Sequence, residues 1–75
     1  MRWQDHIVST ADTLHGCPRF RGTRIAVSTV LDNLAAGATS EELQGQYPTL
    51  PREAVPAALA YAAERARERI VSFPA

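Results

Sequence analysis

The spacing of apolar and polar residues changes along the chain, from β-type patterns near the N-terminus to a helical period in the remainder. Ile7-Val8-Ser9 is a short β-branched stretch, and turn-forming residues follow it up to Gly16. Residues 17–27 form two short extended runs around Arg21-Gly22, where glycine can adopt the positive φ of a tight turn. We therefore predict that residues 1–27 form a β-strand and a β-hairpin.

The predicted hairpin groups its side chains by face. A two-residue loop at its centre sets Phe20 opposite Thr23, and the same register sets Arg19 opposite Arg24. Strand alternation then places Phe20 and Ile25 on one face and the two arginines together on the other. Like charges that face each other are unfavourable. We therefore expect an anion or a carboxylate of a partner between the two guanidinium groups.

Two short helices are predicted after the hairpin. Ser28 is suited to cap the first helix and Gly37 to end it. The apolar stripe between them consists of Val30, Leu31, Leu34 and Ala35. Thr39 and Glu42 have the spacing of a capping box, which predicts that a second helix covers residues 40–46.

The longest helix is predicted over roughly residues 52–70. Its apolar face is expected to comprise Val55, Leu59, Ala62, Ala66 and Ile70. Pro56 conflicts with this helix, because proline lacks an amide donor and disfavours a helical conformation of the preceding residue. We expect either a kinked first turn or a helix that begins near Pro56. The prediction is a single domain of residues 1–75, mainly α, with a three-helix core over 28–70 and a tail over 71–75.

Composition fits one small binding domain better than an enzyme. The chain has 75 residues, of which 45% are hydrophobic, and this is enough for a compact core. So short a chain has few residues left to enclose a large active site. Eight acidic residues balance eight arginines, so the net charge is zero. A neutral monomer is not expected to bind nucleic acid tightly without sequence preference. Any nucleic-acid binding would therefore need dimerisation to bring more arginines together.

Sequence features bearing on location and chemistry are few. No apolar run approaches the ~20 residues of a membrane span, and residues 1–6, which no long apolar stretch follows, are not expected to belong to a secretion signal. The lone Cys17 cannot form an internal disulfide, which favours a reducing cytoplasm. His6, His15 and Cys17 are fewer than the four ligands of a structural zinc site. We predict no metal, no cofactor and no catalytic residues.

The last two helices have the order of a helix-turn-helix, in which the second helix of the pair enters the major groove. Arg52 would lie near the N-terminus of that second helix, where base contacts usually lie. Residues 70–75 include the apolar Ile70, Val71 and Phe73, which would lower the solubility of the protein unless a partner covered them. These three residues are our predicted partner-binding strip.

The residues from Gly16 to Val27, Gly-Cys-Pro-Arg-Phe-Arg-Gly-Thr-Arg-Ile-Ala-Val, resemble the opening signature of the domain-of-unknown-function 433 family. Further blocks in the same order as in that family lie at residues 34–37, 39–43, 47–50 and 57–64. The resemblance covers residues 7–64. It implies a β-hairpin joined to a helix-turn-helix-like three-helix core, and a homodimer that forms through the N-terminal strands.

The resemblance also implies a function. Many proteins of this family are antitoxins encoded beside a PIN-like ribonuclease toxin, and such an antitoxin binds its operator DNA and blocks its toxin with a C-terminal segment. The DNA-binding residues expected here are Arg19, Arg21, Thr23, Arg24 and Arg52.

Three departures from the family pattern keep a second function open. Ala26 stands where proline is usual, Pro51 where a capping Thr or Ser is common, and Pro56 where a polar residue is usual. The two prolines fall at the start of the predicted reading helix, so they bear on DNA binding more than on the fold. The alternative is a protein-interaction or dimerisation module that does not bind DNA.

Overall fold

In the computed structural model of the protein, which describes residues 2–10 and 16–68, a small β-sheet precedes three α-helices. A single 3₁₀ turn at Trp3–Asp5 opens the chain. The strands are β1 Ile7–Val8 and β2 Arg19–Phe20, and the helices are α1 Val27–Ala35, α2 Ser40–Gln46 and α3 Ala54–Glu68. The predicted fold class, mainly helical with an N-terminal β-hairpin, is confirmed.

The sheet pairs β1 with β2, two strands that are distant in the sequence. Ile7 lies opposite Phe20 and Val8 lies opposite Arg19 in antiparallel register. On the other side of β2, Arg19 forms an isolated bridge with Ala26. The Arg19–Phe20 strand is therefore central, because it has β1 on one side and the returning chain on the other.

The predicted register of the hairpin is wrong by two residues. Arg19 faces Ala26 and not Arg24, and the amide of Phe20 donates to the carbonyl of Ile25 over 3.1 Å. Ile25 nevertheless packs against the core that contains Phe20, as the predicted face requires. The turn is longer than predicted because a threonine side chain stabilises it, as described below.

α1 begins at Val27, so the prediction that Ser28 caps it is wrong. The residue before the helix is Ala26, which has an extended backbone and no capping side chain, while Ser28 is exposed within the first turn. The amide of Val27 donates instead to the carbonyl of Pro18 over 3.0 Å, so the hairpin satisfies one of the first amides of the helix. Gly37, which follows the C-cap residue Ala36, has a φ of 97°, and this left-handed conformation confirms it as the residue that ends α1.

The capping box of α2 is confirmed in both directions. The amide of Glu42 donates to the hydroxyl of Thr39 over 3.1 Å, and the amide of Thr39 donates to the Glu42 carboxylate over 2.9 Å. The backbone hydrogen bond from Thr39, followed by the one with its side chain, lowers the pKa of Glu42 below its ordinary 4.5.

α3 begins at Ala54, two residues later than predicted, and accommodates Pro56 as its third residue. The first amides of a helix have no intrahelical acceptor, so the missing N–H of Pro56 removes no helix hydrogen bond. Regular bonding starts immediately afterwards, since the amide of Ala57 donates to the carbonyl of Glu53 over 2.9 Å. The proline at this position is therefore compatible with the helix.

The hydrophobic core joins the sheet to all three helices. Its buried residues are Ile7, Phe20, Val27, Val30, Leu43, Leu50, Ala54, Ala57 and Ala58. On α1 the predicted stripe is confirmed for Val30, Leu31 and Leu34, but Ala35 is exposed.

The predicted apolar face of α3 is confirmed for Val55, which packs against the core, but it is wrong for Leu59 and Ala66, which are exposed, and its Ile70 lies outside the described residues. Leu59 is 51% exposed, whereas the small residues Ala54, Ala57 and Ala58 are fully buried. Tyr61 continues this face and is partly buried against the core. Alanines allow the backbone of α3 to pack close to its neighbours. The face that carries the alanines is therefore buried, and the larger Leu59 lies outside it.

Candidate functional site

A five-residue connection between Phe20 and Ala26 forms the tip of the hairpin. Gly22 adopts a φ of 79°, a conformation that disfavours any residue with a side chain. The hydroxyl of Thr23 donates to the carbonyl of Phe20 over 2.9 Å and accepts from the amide of Ile25 over 3.0 Å. The Thr23 amide donates to the same Phe20 carbonyl over 3.0 Å. Thr23, predicted to contact DNA, thus has its hydroxyl committed to the turn.

Arg19 is half-buried and is fixed by two hydrogen bonds from its guanidinium group. One terminal nitrogen, Nη1, donates to the carbonyl of Thr23 over 3.1 Å, and the other, Nη2, donates to the hydroxyl of Thr10 over 3.4 Å. Its Nε is buried and has no hydrogen-bond acceptor within the described part of the chain. Arg19 therefore supports the hairpin tip and retains donors that these two contacts with the described residues do not use.

A cleft of about 410 Å³ opens beside the hairpin tip. It is lined by Arg19, Gly22, Thr23, Arg24 and Thr49, and we call it the arginine cleft. Thr49 belongs to the connection between α2 and α3, so the arginine cleft lies between the hairpin and that connection. The structure thus brings Arg19 and Arg24 to one cavity, although the two do not face each other across the strands.

Arg24 and Arg52 are the predicted site residues whose side chains are available for binding. Both are exposed, and neither side chain makes a hydrogen bond or an ion pair with the described residues. Arg52 lies in the turn before α3, three positions after Thr49 of the arginine cleft. Within residues 2–10 and 16–68, no acidic residue lines the cleft. The local charge is therefore positive, although the whole chain is neutral.

Arg21 has a structural contact of its own. Its Nε donates to the carbonyl of Asp5 over 3.1 Å, and its amide donates to the carbonyl of His6 over 2.8 Å. The side chain is otherwise exposed. Arg21 thus ties the hairpin tip to the N-terminal turn. The predicted partner-binding residues Ile70, Val71 and Phe73 lie outside the described residues.

Thr49 is the cleft residue that sequence reasoning does not find. It sits in a Tyr-Pro-Thr-Leu-Pro segment that predicts only a turn, and no local pattern links it to the hairpin. The role of Thr23 carries a clearer signal. A threonine directly after a turn glycine can bond to nearby backbone groups and so compete with a regular strand ladder.

A second, smaller cavity of about 190 Å³ has a mainly apolar lining. It is formed by Cys17, Pro18, Val27, Ser28, Leu31 and Tyr61. Over residues 2–10 and 16–68, no three His, Cys, Asp or Glu side chains come together in a way that could hold a metal ion. Among the described helices, none has the length and apolar character needed to cross a membrane.

Comparisons with known proteins agree with the fold. The sequence profile described as "Protein of unknown function (DUF433)" matches residues 7–62. The structure is similar to the crystal structure of a DUF433 member protein from Anabaena variabilis ATCC 29413, with a TM-score of 0.76 and 34% sequence identity. That alignment covers 87% of this chain and 64% of the other, so this chain spans less than two thirds of that protein. The comparison with curated proteins returned no match.

Proposed function

The chain belongs to the DUF433 family of proteins of unknown function, and from the geometry of the arginine cleft we propose that it is an antitoxin-like, DNA-binding regulator. In this proposal it binds operator DNA as a homodimer, represses its own operon and neutralises a PIN-like ribonuclease toxin. The observation that carries the DNA part is the position of Arg19 and Arg24 in one cleft, beside the connection that leads to Arg52 and α3.

The chemistry of this surface suits a phosphate backbone. Guanidinium groups bind phosphate oxygens through paired, charge-assisted hydrogen bonds. Arg24 and Arg52 can do so without first breaking an ion pair within the described residues. The hydroxyl of Thr49 adds a neutral donor of the kind that commonly contacts DNA phosphates.

A homodimer of this chain keeps a net charge of zero, but it would bring the arginines of two chains together on one surface. In the described sheet, β1 is an outer strand, because β2 pairs with it on one side only. Pairing of two such edges across a twofold axis would place two arginine clefts on one assembly. This arrangement supports dimerisation through the N-terminal strands, as the family resemblance implies.

The DNA part is tested by fluorescence anisotropy with DNA from upstream of the gene, measured from about 50 to 200 mM salt. Arg24→Ala and Arg52→Ala should weaken binding and reduce the slope of log K against log salt by about 1 per protomer. Arg67→Ala is the matched control, because it removes the same charge from an exposed site about 20 Å along α3 from Ala54. Equal affinities for all three variants, or no binding with or without the neighbouring gene product, would exclude this function.

The toxin part is tested separately by deleting residues 70–75. We expect the shortened chain to keep its helical circular dichroism spectrum and to lose its pairing with the toxin in a pull-down. A toxin that is captured equally well by the full and shortened chains contradicts the assignment of Ile70, Val71 and Phe73 as the partner-binding residues.

The zero net charge of the chain favours a second candidate function, a protein-interaction module without DNA binding. The guanidinium groups of Arg19 and Arg24 would then meet carboxylates of a partner or of the second protomer. Arg24→Ala distinguishes the two functions. Loss of the oligomer with unchanged DNA affinity supports the interaction module, whereas weaker DNA binding by an intact oligomer supports the regulator.

A further inference from the structure

We infer that the arginine cleft is a binding site for a single phosphate group, held by the guanidinium groups of Arg19 and Arg24 and the hydroxyl of Thr49. The inference deepens the proposed function, and it rests on that function for the source of the group, a phosphodiester of the DNA backbone. The chemistry of the site itself does not depend on DNA.

Arg19 supplies a donor group that is oriented before any ligand arrives. Its contacts with Thr10 and Thr23 use only two of its five N–H donors. The Nε of Arg19 is closed to water and has no acceptor in the described chain, which is an unfavourable state for a buried donor. Each terminal nitrogen of Arg19 keeps one N–H group that these two contacts do not use, and an anion in the cleft can accept from these groups while the guanidinium group stays in place. Because Arg19 is already held in place, little side-chain ordering remains to be done on binding.

The cleft presents its donors from three different elements, which favours a tetrahedral ligand. Arg19 lies on β2, Arg24 lies in the hairpin turn, and Thr49 lies in the connection between α2 and α3. A phosphate has oxygens pointing in several directions and can meet all three donors. A carboxylate has only two oxygens in one plane and is better matched by a single guanidinium fork.

The rest of the cleft lining leaves space for a polar ligand that is larger than a phosphate ion. Gly22 contributes no side chain, and even an added Cβ would meet nothing within 4 Å. The cavity of about 410 Å³ therefore has room for a phosphate together with the group it esterifies. Because the described lining contains no large apolar side chain, it offers few contacts to an uncharged apolar ligand.

The experiment titrates inorganic phosphate into the full chain at constant ionic strength and follows backbone amide and arginine Nε–H signals by NMR. We expect saturable shifts confined to residues 19–24 and 49, with sodium acetate as the carboxylate comparison. Arg24→Ala and Thr49→Val should each weaken phosphate binding several-fold, and Arg67→Ala should leave it unchanged. All three substituted residues are exposed, so the variants should fold.

The outcomes separate this inference from the function on which it rests. Phosphate binding that DNA competes away identifies the DNA backbone as the source. Phosphate binding without any DNA binding supports the site, removes the regulator and assigns a free or small-molecule phosphate as ligand. Acetate shifts as large as those of phosphate would overturn the inference, as would phosphate shifts that Arg24→Ala and Thr49→Val leave unchanged.

Discussion

The indole Nε1–H of Trp3 donates a hydrogen bond to the carboxylate of Glu64, 61 positions further along the chain. The ring of Trp3 also meets that of Tyr61 edge to face, with centroids 5.0 Å apart and planes at 86°. Glu64 and Tyr61 lie one turn apart on α3, so both contacts hold the N-terminal turn against the same helix face. Through the Arg21 contact with Asp5, this turn also supports the hairpin tip.

Trp3→Ala should lower the free energy of unfolding by about 2 kcal/mol, because it removes a half-buried aromatic ring and its hydrogen bond. Glu64→Gln is the milder comparison, since its amide oxygen can still accept from the indole, and it should cost about 1 kcal/mol or less. Urea denaturation followed by circular dichroism measures both. A Trp3→Ala variant as stable as the wild-type protein would show that the N-terminal turn does not contribute to the folded state.

Glycine substitutions at two sites should change stability in opposite directions. Gly22→Ala should destabilise by about 1 kcal/mol, because alanine is strained at a φ of 79° although no atom obstructs its Cβ. Gly45→Ala should stabilise by about 0.5–1 kcal/mol, because Gly45 lies exposed within α2 and has open space around it. Thermal unfolding of the two variants measures the difference. A Gly22→Ala variant at least as stable as the wild-type protein would contradict the assigned role of the Gly22 backbone.

Elements specified by local backbone chemistry could be predicted from the sequence. The Thr39–Glu42 capping box and the end of α1 at Gly37 depend only on residues within a few positions of each other. Elements that depend on distant contacts could not. The pairing of Ile7 with Phe20 has no local signal, and neither has the contact of Trp3 with α3.

The errors in the hairpin and in α3 have separate physical causes. The hairpin register follows the hydroxyl of Thr23, which bonds to the backbone and lengthens the turn beyond the two residues that Arg21-Gly22 predicts. In α3 the prediction placed the largest aliphatic side chain, Leu59, in the core, whereas the buried face is formed mainly by alanines that permit close approach of the backbone. In the candidate site, the arginines could be predicted from the sequence. Thr49 could not, because only the fold brings it next to them.

Stability should fall in acid partly through Glu42. Its folded-state pKa is lowered below 4.5 by the hydrogen bonds with Thr39, so the unfolded chain binds the proton more readily. The stabilisation is complete above about pH 4.5 and is lost as the pH falls through the lowered pKa. Glu42→Gln keeps a capping side chain without the charge, so its stability difference from the wild-type protein should shrink between pH 7 and pH 3. Urea unfolding across this range measures it.

The control for that pH series is Glu41→Gln, which removes a charge from the same first turn without touching the capping box. If the free energies of unfolding of the wild-type protein and Glu42→Gln differ by the same amount at every pH, the assigned hydrogen bonding of Glu42 is wrong.

Thr23→Val and Thr49→Val should separate the fold of the hairpin tip from ligand binding. The Thr23 hydroxyl makes two backbone hydrogen bonds, so Thr23→Val should destabilise by about 1–2 kcal/mol and leave the Ile25 amide without its acceptor. Thr49 is exposed, and its replacement should change stability by less than about 0.5 kcal/mol while weakening phosphate binding. Urea unfolding and phosphate titration of both variants provide the comparison. If Thr49→Val proves the less stable of the two, the hydroxyl of Thr23 does not hold the turn, and the division of roles within the arginine cleft is wrong.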